Sequence, residues 1–202
     1  EEKLNTGLSS YDKYEIMSSQ LVGPTIADDI KSSAFWSILF SLFLIFLYIL
    51  LRFKKWQYSL GAVIAVFHDV LILLSIFSIF YGLLPFSLEI DQAFIAAVLT
   101  VIGYSLNDTV VVFDRIREDL SWKQEADFKS EINGALNSTL SRTINTSMTT
   151  LVVLLIIFFF GGAAIKGFIF ALILGILVGT YSSMFVATPL LVDLTKKIQL
   201  KK

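Results

Sequence analysis

The 202-residue chain has no cysteine, a single histidine, three prolines and only 16% charged residues. Without cysteine there is no disulfide framework from which a compartment could be read. One histidine and no thiol leave too few donors to complete a metal ligand set, so no metal site is expected. The charges nearly cancel, at a formal net of -1, and no basic patch is interleaved with aromatics, which argues against a nucleic-acid partner. There is no Gly-rich phosphate loop, no nucleophile elbow and no Ser-His-Asp set in a suitable local context. The chain does not begin with Met, and residues 1–31 carry neither the n-region nor the h-region of a signal peptide.

Apolar residues are abundant instead: 55% of the chain is hydrophobic, 14% aromatic, and the mean hydropathy is +0.75. This exceeds the apolar share of an ordinary soluble domain. Crossing a hydrocarbon layer about 30 Å thick takes about 20 apolar residues in a helix. Five such windows occur, at residues 32–51, 58–81, 93–113, 139–160 and 165–191. The reading is an all-α membrane protein with its bundle over residues 32–195. The last window is long enough to tilt or to run out along the surface. Arg52, Lys54 and Lys55, then Arg115, Arg117, Lys123 and Lys129, and finally Lys196, Lys197, Lys201 and Lys202 fall on one side. By the positive-inside rule that side is cytoplasmic, which places the tail 196–202 inside and residues 1–31 outside.

Residues 13–26, KYEIMSSQLVGPTI, read as one strand, and a lone strand needs a sheet to complete it. The expectation is therefore a fragment, with a missing preceding membrane span as the alternative. The connection 114–138 mixes charges with Ile116, Leu120, Trp122, Phe128, Ile132 and Leu136 at three- and four-residue intervals. That pattern suggests amphipathic helices at the membrane surface, in contact with lipid headgroups. A solvated hinge is the alternative. In the last window Ala163, Gly167, Ala171, Gly175, Gly179, Ser183 and Ala187 stand four apart. A ridge nearly free of side chains lets another helix approach closely, either as a fixed packing face or as a surface for sliding.

Polar residues at membrane depth are the candidates for function. Asp108 lies seven residues before Arg115, about 10 Å along a helix axis. A carboxylate held there costs a few kcal/mol, so it should face the bundle interior and find a partner. Asn107, Ser105 and Thr109 add hydrogen-bonding capacity. In the fourth window Ser138, Arg142, Asn145, Thr146, Thr149 and Thr150 form a polar stripe at helical spacing. Arg142 sits at a depth comparable to that of Asp108, and the two can pair; alternatively Arg142 reaches lipid phosphates. His68 and Asp69 stand near mid-membrane in the second window, with Ser75 above them. In a soluble protein they would be a satisfied core pair, but at this depth a proton relay is the leading reading. Protonation of Asp108 would weaken its attraction to Arg142 and change how the helices pack. One charge crossing 100 mV releases about 2.3 kcal/mol, enough to bias a small rearrangement.

Several stretches carry a resemblance: VGPTIADDI, HDVLI, IGYSLNDTVVVFDRIRE, LSRTINTSMTTL and FGGAAIKGFIFALILGILVGTYSSMFVATPLL, in order from Leu21 to Leu191. They resemble the SecF family, including the SecF half of fused SecDF proteins, within the RND superfamily. The resemblance implies an RND-type bundle with five of an expected six spans and a remnant of an extracytoplasmic α/β domain. It also implies a non-enzymatic accessory subunit of the bacterial Sec export machinery in the inner membrane. Such a subunit uses the proton-motive force in late steps of polypeptide translocation. The implied partners are SecD, the SecYEG channel, YajC and YidC, the unfolded translocating polypeptide and membrane lipids. Protons are the implied coupling ion, with sodium open, and no other cofactor is implied. The family's functional pair falls on Asp108 and Arg142. Two other readings compete: an RND-type exporter of small molecules or lipids, and a scaffold subunit that conducts nothing.

Overall fold

The computed structural model describes residues 24–122 and 128–199. Six α-helices account for most of them: α1 Pro24–Phe53, α2 Trp56–Ile79, α3 Gln92–Trp122, α4 Phe128–Phe160, α5 Lys166–Ser182 and α6 Thr188–Gln199. A 3-10 turn, Ala163–Ile165, leads into α5, and a π-helical segment, Ser183–Ala187, joins α5 to α6. No strand occurs among the described residues. Among the described residues five stretches are long and apolar enough to cross a membrane: Ser32–Phe53, Trp56–Ile79, Gln92–Leu120, Lys129–Phe160 and Ala163–Thr195. The five windows predicted from the sequence correspond to these.

Local chemistry sets the ends of the helices. Lys54, at φ 57, takes the left-handed conformation that stops α1, and its N–H donates to the carbonyl of Leu50. Asp91 caps α3, its Oδ1 accepting from the N–H of Phe94 at 2.8 Å. Gly161 closes α4 with a 2.7 Å bond to the carbonyl of Ile157.

Three expectations are corrected. Residues 114–138 are not separate surface helices: α3 runs on to Trp122 and α4 already begins at Phe128. The physical reason is burial, since Ile116, Ile132 and Ala135 belong to one packed apolar cluster and are not laid on headgroups. The expected strand 13–26 fails at its end, because Pro24 opens α1 and residues 24–26 are helical. Pro24 suits the first turn of a helix, where a missing N–H costs nothing. The rest of that stretch, and with it the expected α/β remnant over residues 1–23, lies outside the described residues. The boundary drawn at residue 31 also moves, since α1 is continuous across it. The tail is helical as far as Gln199.

Packing places α2, α3 and α5 at the centre. α1 is peripheral: only 6% of its apolar window is buried, against 44% for α3. Two apolar clusters occupy the two ends of the bundle. One gathers Phe77, Phe94, Val98 and Ala171, and the other Phe53, Tyr58, Phe113, Ile132 and Leu191. Between them lies a layer of buried polar side chains: Asp69, Ser105, Asp108, Thr109, Ser182 and Ser183.

The small-residue ridge packs α5 onto α3. A Cβ on Gly179 would lie 2.9 Å from the Cβ of Ser105, and one on Gly175 would run into both methyls of Val101. Gly167 stands against the carbonyl of Ser87, at 2.5 Å from where its Cβ would be, and Ala171 is fully buried. The ridge is thus a close helix contact of the kind association in lipid depends on. It does not keep one partner throughout. Ser183 meets Thr109 on α3, whereas the carbonyl of Ala187 sits 3.1 Å from where a Cβ on Gly61 of α2 would be.

Candidate functional site

The polar layer is held by one carboxylate. Asp69, on α2, is 1% exposed. Its Oδ2 accepts from Ser105 Oγ on α3 at 2.7 Å and from Ser182 Oγ on α5 at 2.8 Å. Its Oδ1 meets His68 Nδ1 at 3.1 Å. His68 is one-third exposed, with its ring centroid 6.4 Å from that of Tyr181. The sequence placed His68 and Asp69 together but offered Ser105 to Asp108, and Ser182 was not singled out. Beside this group Thr109 Oγ1 and Ser183 Oγ share a 2.9 Å hydrogen bond. Ser183 Oγ also donates to the carbonyls of Gly179 and Ser105, at 2.9 and 3.2 Å. Ser75 bonds back to the carbonyl of Leu71 on its own helix.

Asp108 follows on the same face of α3. It is 3% exposed, and its Oδ2 accepts no hydrogen bond among the described residues. A buried acceptor left unsatisfied costs about 1–3 kcal/mol, more when charged. The expected ion pair with Arg142 is not formed: among the described residues Arg142 belongs to no salt bridge. Arg142 is exposed instead. It lines an open cleft with Asp114, Arg115, Glu118 and Thr139 between α3 and α4.

The stripe expected on α4 is divided between two faces. Thr146 is half-buried; Arg142, Asn145 and Thr149 are exposed, as is Asn107 on α3. The buried face carries Thr139, Thr143 and Ser147. Ser147 Oγ and Thr180 Oγ1 lie 2.6 Å apart across α4 and α5. The Tyr104 hydroxyl reaches the carbonyl of Thr146 at 3.1 Å and Thr150 Oγ1 at 3.3 Å. Thr146 and Thr149 direct their own hydroxyls back to α4 carbonyls. Thr143 Oγ1, like Asp108 Oδ2, is buried without a hydrogen-bond partner among the described residues. Both faces of this helix are rich in Ser and Thr, so spacing alone did not reveal which one packs inward.

Exposed polar groups therefore run along both sides of the α3–α4 seam: Thr100 and Asn107 on α3, Arg142, Asn145 and Thr149 on α4. Gly103, between them, has nothing within 4 Å of where a Cβ would stand. Near the basic ends Asp114 clasps two helices, accepting from Arg52 of α1 at 3.1 Å and from Arg117 of α3 at 2.8 Å. Arg117 also caps the carbonyl of Arg52 at 3.2 Å, and both guanidinium groups lie over the Phe53 ring.

The family described as "Protein export membrane protein SecD/SecF, C-terminal" matches residues 3–197. A protein translocase subunit SecF of Rhodothermus marinus is 56% identical over 180 residues, covering 89% of this chain and 58% of that one. A protein translocase subunit SecDF of Brucella abortus is 42% identical over 180 residues, covering 89% of this chain and 23% of its own length. The crystal structure of SecDF from Thermus thermophilus, titled a translocon-associated membrane protein, superposes with a TM-score of 0.83 at 38% identity. It covers 96% of this chain and 26% of that one. The chain spans between half and three-fifths of the SecF relatives it matches.

Proposed function

This chain belongs to the SecD/SecF family of protein export membrane proteins, and from that premise we propose that it is the membrane-embedded part of a SecF subunit. In this reading the subunit uses the proton-motive force to promote late steps of polypeptide translocation across the bacterial inner membrane. It acts beside SecD and the SecYEG channel, with YajC and YidC as further partners, on an unfolded polypeptide. The basic helix ends and the tail face the cytoplasm, and residues 1–31, ahead of the first span, face the other side.

The observation that carries the reading is Asp108. A carboxylate 3% exposed at membrane depth, with one oxygen left without a hydrogen bond, is arranged for a task and not for stability. Arg142 stands across the α3–α4 cleft as the charge that responds to it. When Asp108 is ionised the guanidinium is drawn toward it, and when Asp108 is neutral that attraction disappears. The proton is the coupling ion on this account, and sodium is the alternative the test distinguishes. The polar seam on α3 and α4 supports pairing with SecD, since hydroxyls, amides and a guanidinium facing lipid would go unsatisfied. The SecDF relatives join the two halves in one chain.

The test is export into inverted membrane vesicles carrying the full-length subunit, with the pH gradient and the sodium content varied independently. Asp108→Asn should remove the gradient-dependent part of export while the subunit still co-purifies with SecD. Export that keeps its gradient dependence in this variant would overturn the reading.

A further inference from the structure

Asp69 is used by none of the steps above, and its setting differs from that of Asp108. It is fully buried, with every donor supplied by a neutral hydroxyl or by an imidazole, and the two hydroxyls come from two other helices. No Lys or Arg among the described residues pairs with it. The titratable groups around it are few. α2 itself brings His68, α3 brings Asp108, and α5 brings Tyr181 beside the His68 ring. α1 packs apolar side chains, Leu42 and Ile45, against this part of the bundle. Among the described residues His68 alone joins the buried carboxylate to a partly exposed position, being 33% exposed.

Depth orders the two carboxylates. Ser105 is level with Asp69 because it bonds to it. Asp108 lies three residues further along α3, about 4.5 Å at 1.5 Å per residue, toward the end that carries Arg115 and Arg117. Between their levels Ser183 Oγ donates to the backbone carbonyl of Ser105 and shares a hydrogen bond with Thr109 Oγ1, and Thr109 is the residue after Asp108 in the chain.

We propose that Asp69 is a second proton-carrying group, loaded through His68 and standing about one helical turn before Asp108 on the path inward, with Ser105 and Ser182 as its positioning residues. The inference rests on the proton-coupled reading given above. In the loading step the proton on His68 Nδ1 passes to Asp69 Oδ1. The N–H bond breaks and an O–H bond forms, so that an imidazolium and a carboxylate become a neutral imidazole and a neutral acid. The two serine hydroxyls occupy Oδ2 and leave Oδ1 turned to the imidazole. This fixes which oxygen takes the proton.

The substitution that separates proton carriage from scaffolding is Asp69→Asn. The amide oxygen can still accept both serine hydroxyls and the amide nitrogen can donate to His68, so the hydrogen bonds survive and only the proton site is lost. The full-length subunit, assembled with SecD in proteoliposomes enclosing a pH-sensitive dye, is given a pH gradient and a membrane potential. Proton uptake should fall about 100-fold in Asp69→Asn, the scale of a lost acid–base group. In the Ser105→Ala, Ser182→Ala double variant uptake should fall partially and be restored by neither salt nor a larger potential. Infrared difference spectra on acidification should show two carboxyl bands, one absent in Asp69→Asn and the other in Asp108→Asn. Uptake within twofold of wild type in Asp69→Asn, with Asp108→Asn inactive, overturns this inference and leaves the Asp108 reading standing. Uptake unchanged in both variants overturns both. If Asp69→Asn assembles poorly, the infrared spectrum of the wild type decides: a single carboxyl band, lost in Asp108→Asn, excludes Asp69 as a carrier.

Discussion

Gly175 on α5 faces Val101 on α3 with no room for a methyl group between them. Valine is β-branched and stiff about χ1, so it cannot swing aside as a long side chain would. Gly175→Ala should therefore force the two helices apart and destabilise the bundle by about 1–3 kcal/mol, the cost of overpacking a filled contact. Reversible unfolding in mixed micelles measures this. A midpoint equal to wild type would mean that the helices separate freely there.

Ser147 and Thr180, 2.6 Å apart, hold α4 to α5. Interhelical hydrogen bonds in membranes average about 0.6 kcal/mol, because the separated helices also find partners. Ser147→Ala should lose roughly that amount in the same unfolding measurement, and much less than Gly175→Ala. The opposite ranking would show that polar contacts dominate this interface.

Gly103 makes the complementary case, since open space surrounds it. Gly103→Ile should leave unfolding of the isolated subunit within about 0.5 kcal/mol of wild type, as surface changes usually do. It should reduce co-purification with SecD, because the bulk falls on the polar seam. Undiminished co-purification would place SecD on another face.

Asp108→Asn and Arg142→Ala separate stability from activity. Removing a buried charge with an unsatisfied oxygen should leave stability unchanged or raise it by about 1 kcal/mol. Arg142 is exposed and unpaired among the described residues, so truncating it should cost under about 0.5 kcal/mol in the isolated subunit. Both variants should nevertheless abolish gradient-dependent export. A large loss of stability in either would make the pair structural.

Asp114→Asn removes the negative charge shared by Arg52 and Arg117, whose side chains are 41% and 42% exposed. Exposed ion pairs contribute about 0–1 kcal/mol and weaken with salt. The variant should lower stability by no more than that at low salt, and by less at high salt. A loss above 2 kcal/mol would mean that the clasp anchors α1 against the bundle.

The five spans were legible because length and apolarity alone decide what can cross a hydrocarbon layer. The α5 ridge was legible because four-residue spacing of small side chains has one geometric meaning on a helix. The charged connection suggests separate surface helices because Arg115, Glu118 and Asp119 end the apolar window, yet Ile116 behind them is buried and α3 simply continues. Residues 138–150 were ambiguous for another reason. Ser and Thr occupy both faces of α4, and only the register against α3 and α5 selects Thr139, Thr143 and Ser147 for burial. That register joins residues more than thirty positions apart, so local spacing says nothing about it. The same holds for Ser182, whose bond to Asp69 spans 113 positions.

The π-helical segment Ser183–Ala187 fits one residue more into its turn than an α-helix would, and the Thr188 hydroxyl closes onto the Ser183 carbonyl at 3.1 Å. That surplus residue shifts the angular phase of everything after it. Winding the same five residues as regular α-helix, with none removed, would turn α6 by about 100° about its axis. Leu191, now packed inward at 2% exposure, would leave its socket, while the ladder of contacts upstream kept its alignment. The fold thus sets two interhelical interfaces from one continuous rod by miscounting a single turn.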